Sequence, residues 1–150
     1  SEYKASVEEV LGGDEIMVLQ ELVRRVPVSD HVVKYAMEFS RQTRIQTDEA
    51  PDFIKEWLAW GAGPRASQFL ILAGKARAVL EGRHYVTGED IRAVAKPVLR
   101  HRIIVNFGAE AEGVNSDTVV QKLIDTISRN ESELSSDGRL SKVLGSEDPQ

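Results

Sequence analysis

Gly61-Ala62-Gly63-Pro64-Arg65-Ala66-Ser67 opens the stretch on which the reading of this chain turns. From Pro64 to about Glu81 the sequence runs as a strong helix, with Phe69, Leu70, Ala73, Ala76, Val79 and Leu80 among its apolar positions and Gly82 to close it. Proline suits the first helical position, where its missing N–H would have no partner, and glycine is accepted just before it. Gly63 therefore sits near the N-cap, Pro64 first and Arg65 second. A cation there opposes the positive end of the helix macrodipole by about 0.3–1 kcal/mol. A helix shaped by stability alone would carry Asp or Glu. Arginine makes sense if its planar guanidinium and the free backbone N–H groups share an anion, as helix starts hold phosphate. The competing reading pairs Arg65 with a carboxylate such as Asp52 or Glu56. Ala66, Ala73, Gly74, Ala76 and Ala78 leave room for a second helix to approach closely.

The rest of the chain is also helical in pattern. Residues 4–11 form a short amphipathic stretch ended by Gly12-Gly13, and Asp14 caps a helix carrying Ile16, Leu19, Leu22, Val23 and Val26 that stops at Pro27. Ser29 caps a third helix, expected to reach about Arg44, with Val32, Val33, Ala36, Met37 and Ser40 on one face. Residues 46–52 read as loop, and Phe53 to Trp60 as one or two helical turns. Thr87 and Asp90 resemble a capping box for a helix over 88–96 that Pro97 stops. Residues 98–107 are open between a connector and a short strand around Ile103-Ile104-Val105. Ser116 caps a last helix to Ile127, with Val119, Val120, Leu123, Ile124 and Ile127 inward. Residues 129–150 hold only four large apolar side chains and read as a disordered tail. The predicted fold is all-α: a small helical bundle over 14–128, with room for one short extended segment near 103–107.

Composition narrows the chemistry. The 150 residues contain no cysteine, which excludes disulfides, thiol nucleophiles and zinc ribbons. His31, His84 and His101 are too far apart to form a histidine metal motif, so no metal site is expected. No apolar run approaches the length of a membrane span. The chain opens on Ser1-Glu2-Tyr3-Lys4, without a basic-then-apolar leader, and is expected to be a piece of something longer. Gly74-Lys75 is followed by Ala76 and preceded five residues earlier by Phe69, so it is no P-loop. No nucleophile elbow and no marked carboxylate pair stand out. Alone, the chain has no visible catalytic apparatus.

The net charge of −5 conceals a segregation. Residues 1–63 and 103–150 each carry a net −5, while residues 64–102 carry +5. This basic island holds Arg65, Lys75, Arg77, Arg83, Arg92, Lys96, Arg100 and Arg102. It suits either an anionic ligand or a solvated face paired with the acidic flanks. Nucleic acid is disfavoured by the low overall pI of about 5.3 and by the scarcity of aromatics in the island. Trp57 and Trp60 fit core or interface filling better than base stacking. The Arg100-His101-Arg102 triplet fits a salt-bridged turn better than a site.

Several segments together resemble a known family. Gly61 to Ser67, then Gly82-Arg83-His84-Tyr85-Val86 with Glu89-Asp90-Ile91, then Pro97-Val98-Leu99-Arg100-His101-Arg102-Ile103, look like the C-terminal lid region of MoxR-type AAA+ ATPases. Val26-Pro27-Val28-Ser29-Asp30 and Thr43-Arg44 also fit, and the likeness covers about residues 10–127. It departs over 46–60, where Asp52-Phe53-Ile54-Lys55-Glu56-Trp57 looks like a subgroup variation. The resemblance implies a small helical lid that follows an α/β nucleotide-binding core, with residues 1–13 as the connecting helix. It implies that Arg65 is the sensor-2 arginine of a G-x-x-P-R-A motif, meeting the γ-phosphate of ATP with Pro64 and Gly63 beside it. The P-loop and the Mg²⁺ would belong to the core, and arginine fingers to a neighbouring subunit. It further implies a cytoplasmic ATP hydrolase forming rings, commonly hexamers. Such machines do chaperone-like remodelling, often with proteins bearing von Willebrand factor A domains. Two readings compete with it: a stand-alone helical adaptor using the basic island and the Trp57/Trp60 patch, and a helix-turn-helix DNA binder.

Overall fold

The computed structural model describes residues 8–136, with side chains to residue 128. Helix α1 spans Gly13–Arg25 and α2 Asp30–Arg41. A short α3, Asp52–Trp57, runs straight into strand β1, Leu58–Trp60. Then come α4, Arg65–Leu80, and α5, Gly88–Leu99. Strand β2, Ile104–Val105, precedes a one-turn α6, Phe107–Ala111, and the long α7, Ser116–Ser136. Among the described residues the fold is all-α apart from these two short strands.

Local capping chemistry accounts for most of the boundaries. The Ser29 hydroxyl accepts from the Val32 N–H at the start of α2. Thr87 and Asp90 form a reciprocal capping box at α5. Gly82 ends α4 with φ at +71°, a left-handed conformation that favours glycine. Other boundaries differ from the sequence expectation. Residues 8–12 are not helical, so the described part of the 1–13 connecting segment lacks a helix, and residues 1–7 lie outside the described residues. Pro97 does not stop α5 but lies inside its last turn, where the helix continues two residues to Leu99. The cap of α7 is Asn115, whose side chain accepts from Thr118, rather than Ser116. That helix runs past Ser128 to Ser136. Residues 129–136 contain no glycine or proline to break it, and the first breaker is Gly138. The remainder of the expected tail, 137–150, lies outside the described residues.

The core forms where α4 packs on α5, α2 and α1, and where α7 closes over α5 and α2. Phe39, Leu70, Ile91, Leu99, Leu123 and Ile127 are fully or almost fully buried there. The small residues of α4 permit its close contact with α5: a β-carbon at Gly74 would lie 3.0 Å from Ile91 Cδ1 and 3.1 Å from Val86 Cγ1. Helix α1 is attached more loosely and has no fully buried residue, with Ile16, Leu19 and Leu22 exposed. The apolar stripe on that helix therefore has only partial cover. Tyr35 and Phe39 carry the buried face of α2, and Met37 faces out.

The two strands pair antiparallel, Leu58 with Val105 and Trp60 with Ile104, with a bulge at Ala59. The extended segment near 103–107 is thus present. Its partner is the end of the stretch that the sequence reads as helical turns. Asn106 reinforces the junction: its N–H donates to the Trp57 carbonyl at 2.8 Å and its side chain to that of Glu56 at 2.6 Å. From α7, the Lys122 ammonium sits 4.1 Å from the Trp57 ring centroid and 4.7 Å from that of Phe53.

Asp90 is completely buried and ties the end of α4 to the start of α5. Burial alone would raise its pKa. The hydrogen bonds from Arg83, Thr87 and Arg77 outweigh that and hold it well below the usual carboxylate range. The same contact, with Glu81, raises the Arg83 guanidinium above its ordinary value. A depressed folded-state pKa stabilises the fold above the ordinary carboxylate value of 3.8. That contribution fades as the pH falls from there toward the folded-state value. Asp90→Ala removes the buried acceptor that Arg77, Arg83 and Thr87 share, while both arginines keep Glu81 at 2.7 Å, and should cost about 1–3 kcal/mol in urea unfolding at neutral pH. The gap between variant and wild type should narrow as the pH drops below about 4.

Candidate functional site

The expected site residues sit together at the turn from β1 into α4. Pro64 has helical dihedrals (φ −56°, ψ −29°) and takes the capping position, so Arg65 is the first residue of α4. The helix start is shifted by one residue from the sequence reading, and Ala66 N–H already donates to the Gly63 carbonyl at 2.9 Å. Gly63, Pro64 and Arg65 are all exposed. No acidic residue occupies the first turn of α4. Neither Asp52 nor Glu56 pairs with Arg65, which has no ion-pair partner among the described residues.

The seat beneath Arg65 is rigid, and α2 supplies it. Thr43, fully buried just beyond α2, donates its hydroxyl to the Ser40 carbonyl at 2.8 Å and accepts from Ala62 N–H at 2.9 Å. Gly61 lies directly on the Thr43 backbone: a β-carbon there would fall 2.0 Å from the Thr43 carbonyl oxygen and 2.7 Å from its carbon. Glycine is needed for this close approach, since the backbone at position 61 is not in the left-handed region. Within the first turn of α4, the Ser67 hydroxyl lies 2.6 Å from that of Ser40. The Ser40 hydroxyl already donates to the Met37 carbonyl at 3.1 Å, so Ser67 is the donor. A recess of about 340 Å³ adjoins the loop, lined by Arg44, Ile45, Thr47, Trp60 and Gly61 to Gly63.

The other marked residues serve the fold. Arg77 and Arg83 hold Asp90, and Lys75 donates to the Arg24 carbonyl at 3.0 Å. Arg92 lies 3.4 Å from the Tyr35 hydroxyl, and Arg100 pairs with Asp117 at 3.0 Å. Arg102 donates to the Val98 carbonyl, contacts His101, and lies 4.7 Å from the Phe69 ring centroid. The triplet at 100–102 is therefore built into the fold. Trp57 is half-buried under Lys122, whereas Trp60 is 69% exposed. Among the described residues no group of three or more acidic or histidine side chains gathers to hold a metal. No described helix is long and apolar enough to cross a membrane.

The model of the AAA lid domain family matches residues 53–123, which hold both strands, α4, α5 and the Arg65 turn. Chaperone MoxR1 of Mycobacterium tuberculosis is 30% identical over 119 residues, covering 79% of this chain and 32% of that protein. This chain is the lid domain of a MoxR-type AAA+ ATPase. Protein MoxR of Paracoccus denitrificans is 42% identical over 65 residues, 43% of the lid chain and 18% of that protein. Among solved structures, that of a candidate ATPase from Cytophaga hutchinsonii matches with a TM-score of 0.70 at 30% identity. The match covers 75% of the lid chain and 34% of that structure. The lid chain thus spans about a third of the length of MoxR1 and of the solved relative.

Sequence reading located Arg65 and its neighbours but not the seat. Thr43 stood out only through family likeness, and Ser40 only as part of a helix face. A threonine placed just past a helix end can bond back to the helix, yet nothing local marks which distant N–H its oxygen accepts. Two glycines of the loop should part company on substitution. Gly61→Ala forces the loop off Thr43 and should cost about 1–3 kcal/mol by thermal or urea unfolding. Gly63→Ala meets nothing within 4 Å and should change stability by less than about 1 kcal/mol.

Proposed function

We propose that Arg65 is the sensor-2 arginine of the parent ATPase. It would reach the γ-phosphate of an ATP held, with its Mg²⁺, by the P-loop of an α/β core. The observation that carries this reading is an exposed guanidinium with no ion-pair partner among the described residues, on the first residue of a helix that has no acidic group in its first turn. Such a placement costs free energy in the isolated lid and is offset once an anion arrives. A phosphoryl group in transfer spreads charge over its equatorial oxygens, and a fixed planar cation stabilises that charge. Pro64 and Gly63 border the anion without contributing charge. The lid thereby registers whether the γ-phosphate is present, and its movement passes the signal to neighbouring subunits of a ring, in this reading a hexamer.

The lid alone lacks a P-loop, so hydrolysis belongs to the parent protein. The exposed apolar residues Ile16, Leu19 and Leu22 suit a domain that docks on other parts of such an assembly. Chaperone-like remodelling in the cytoplasm, with a von Willebrand factor A domain protein as co-factor, completes the proposal and draws on the MoxR kinship. A stand-alone adaptor is less well supported. Several of the island cations on which it relies already have partners within the domain, and Trp57 is capped by Lys122. Arg65→Ala in the full-length ATPase should lower ATP turnover by about 10²-fold, measured by steady-state phosphate release. Unchanged turnover together with an unchanged nucleotide-dependent conformation would remove the assignment.

A further inference from the structure

We infer that Thr43 is a positioning residue for Arg65, acting through the loop 61–63; this rests on the sensor-2 reading above. Arg65 has a long side chain and no protein partner among the described residues, so its placement depends on the backbone that carries it. Three contacts from one short stretch of α2 and its exit fix that backbone. The Thr43 hydroxyl has a single proton, committed to the Ser40 carbonyl, and its lone pair takes the Ala62 N–H. The Thr43 carbonyl occupies the space that any side chain at 61 would need. Ser67, two residues beyond Arg65, is tied to Ser40 of the same stretch. The two hydroxyl tethers therefore bracket Arg65, at positions 62 and 67. Both are buried or half-buried, so water does not readily replace them.

Catalytic cations are sensitive to their anchorage, because a misplacement of about 1 Å can cost about 10²-fold in rate. The arrangement also confines the effect. Thr43 is buried and cannot itself touch a nucleotide, so whatever it does for turnover passes through the loop.

The test is a double-mutant cycle in the full-length ATPase, reading ATP turnover and, in parallel, thermal unfolding of each variant. Thr43→Val keeps the shape and removes the hydroxyl; Thr43→Ser keeps the hydroxyl. Thr43→Val should lower turnover by about tenfold or more, and Thr43→Ser should stay within about twofold of the wild type. In the Arg65→Ala background Thr43→Val should cause no further loss. Should Thr43→Val fail to fold, Ser67→Ala takes its place and should show a smaller loss that likewise vanishes without Arg65. A loss of equal factor with and without Arg65, or a Thr43→Ser variant as impaired as Thr43→Val, overturns the inference. If Arg65→Ala alone leaves turnover intact, the sensor-2 reading falls first and the positioning role with it. That outcome differs from one in which Arg65→Ala is impaired and Thr43→Val is not, which overturns the positioning role alone.

Discussion

The Thr43 carbonyl oxygen sits 2.0 Å from the point where a β-carbon at position 61 would stand. Much of the domain is arranged around that contact. It brings the exit of α2 against the loop that leaves β1, and so sets the angle at which α4 begins. Helix α4 is the element against which α5, α2 and α1 pack, so an error at its start propagates through the core. The strand pair holds the other end of the loop. With Trp60 paired to Ile104 and Ala62 bonded to Thr43, the backbone entering α4 is held on both sides. A short sheet of this kind would be marginal alone. Here the helices that flank it in the chain, α3 and α6, pack on each other, and Lys122 of α7 caps the aromatic pair Phe53 and Trp57.

The charge pattern resolves into two uses of arginine. Arg77 and Arg83 surround a buried carboxylate and satisfy it, which turns a costly burial into a specific link between α4 and α5. Arg100 and Arg102 close the turn after α5 through Asp117, the Val98 carbonyl and the Phe69 ring. These residues account for much of the positive block over 64–102, and each has a partner within the domain, Arg100 at its surface. Arg65 is different in kind. It stands where its charge is locally unfavourable, and the fold supplies no counter-ion to it among the described residues. A block of like charge in a sequence therefore says little until each member is assigned a partner.

The features legible in the sequence were those that depend on a few consecutive residues. Ser29 as a cap, the Thr87/Asp90 box, the glycine stop at 82 and the inward stripe of α7 are all local, and the structure contains them. What was hidden depends on distant partners. Strand β1 exists because β2 lies beside it, some 45 residues later in the chain, and the short apolar run Phe53 to Trp60 is compatible with either helix or strand. Pro97 ends nothing because proline near the last turn forfeits one bond that the packing of α5 outweighs. The apolar stripe of α1 was visible as a stripe, but periodicity cannot say whether it will be covered. At the site, Arg65 and its proline were found through helix-start chemistry, whereas the Thr43 seat required knowing which segments meet.

The looseness of α1 has a physical counterpart in the firmness of the Arg65 seat. The proposed sensor-2 role would ask for a lid that is rigid around Arg65 and adaptable where it docks. The first condition needs short tethers with every hydrogen bond made, and the Thr43, Ala62 and Ser67 contacts meet it. The second needs apolar surface that is incompletely satisfied within the domain, and Ile16, Leu19 and Leu22 meet that. The groove between α1, α4 and α5, about 580 Å³ and lined by residues such as Val23, Phe69 and Leu72, shows the same incomplete closure. Stability is thus unevenly spread: concentrated at the α4–α5 seam and the α2 exit, and thin along α1. In the proposed role, a rigid-body movement would carry Arg65 and its seat together, with the thinly packed α1 as the element best able to adjust.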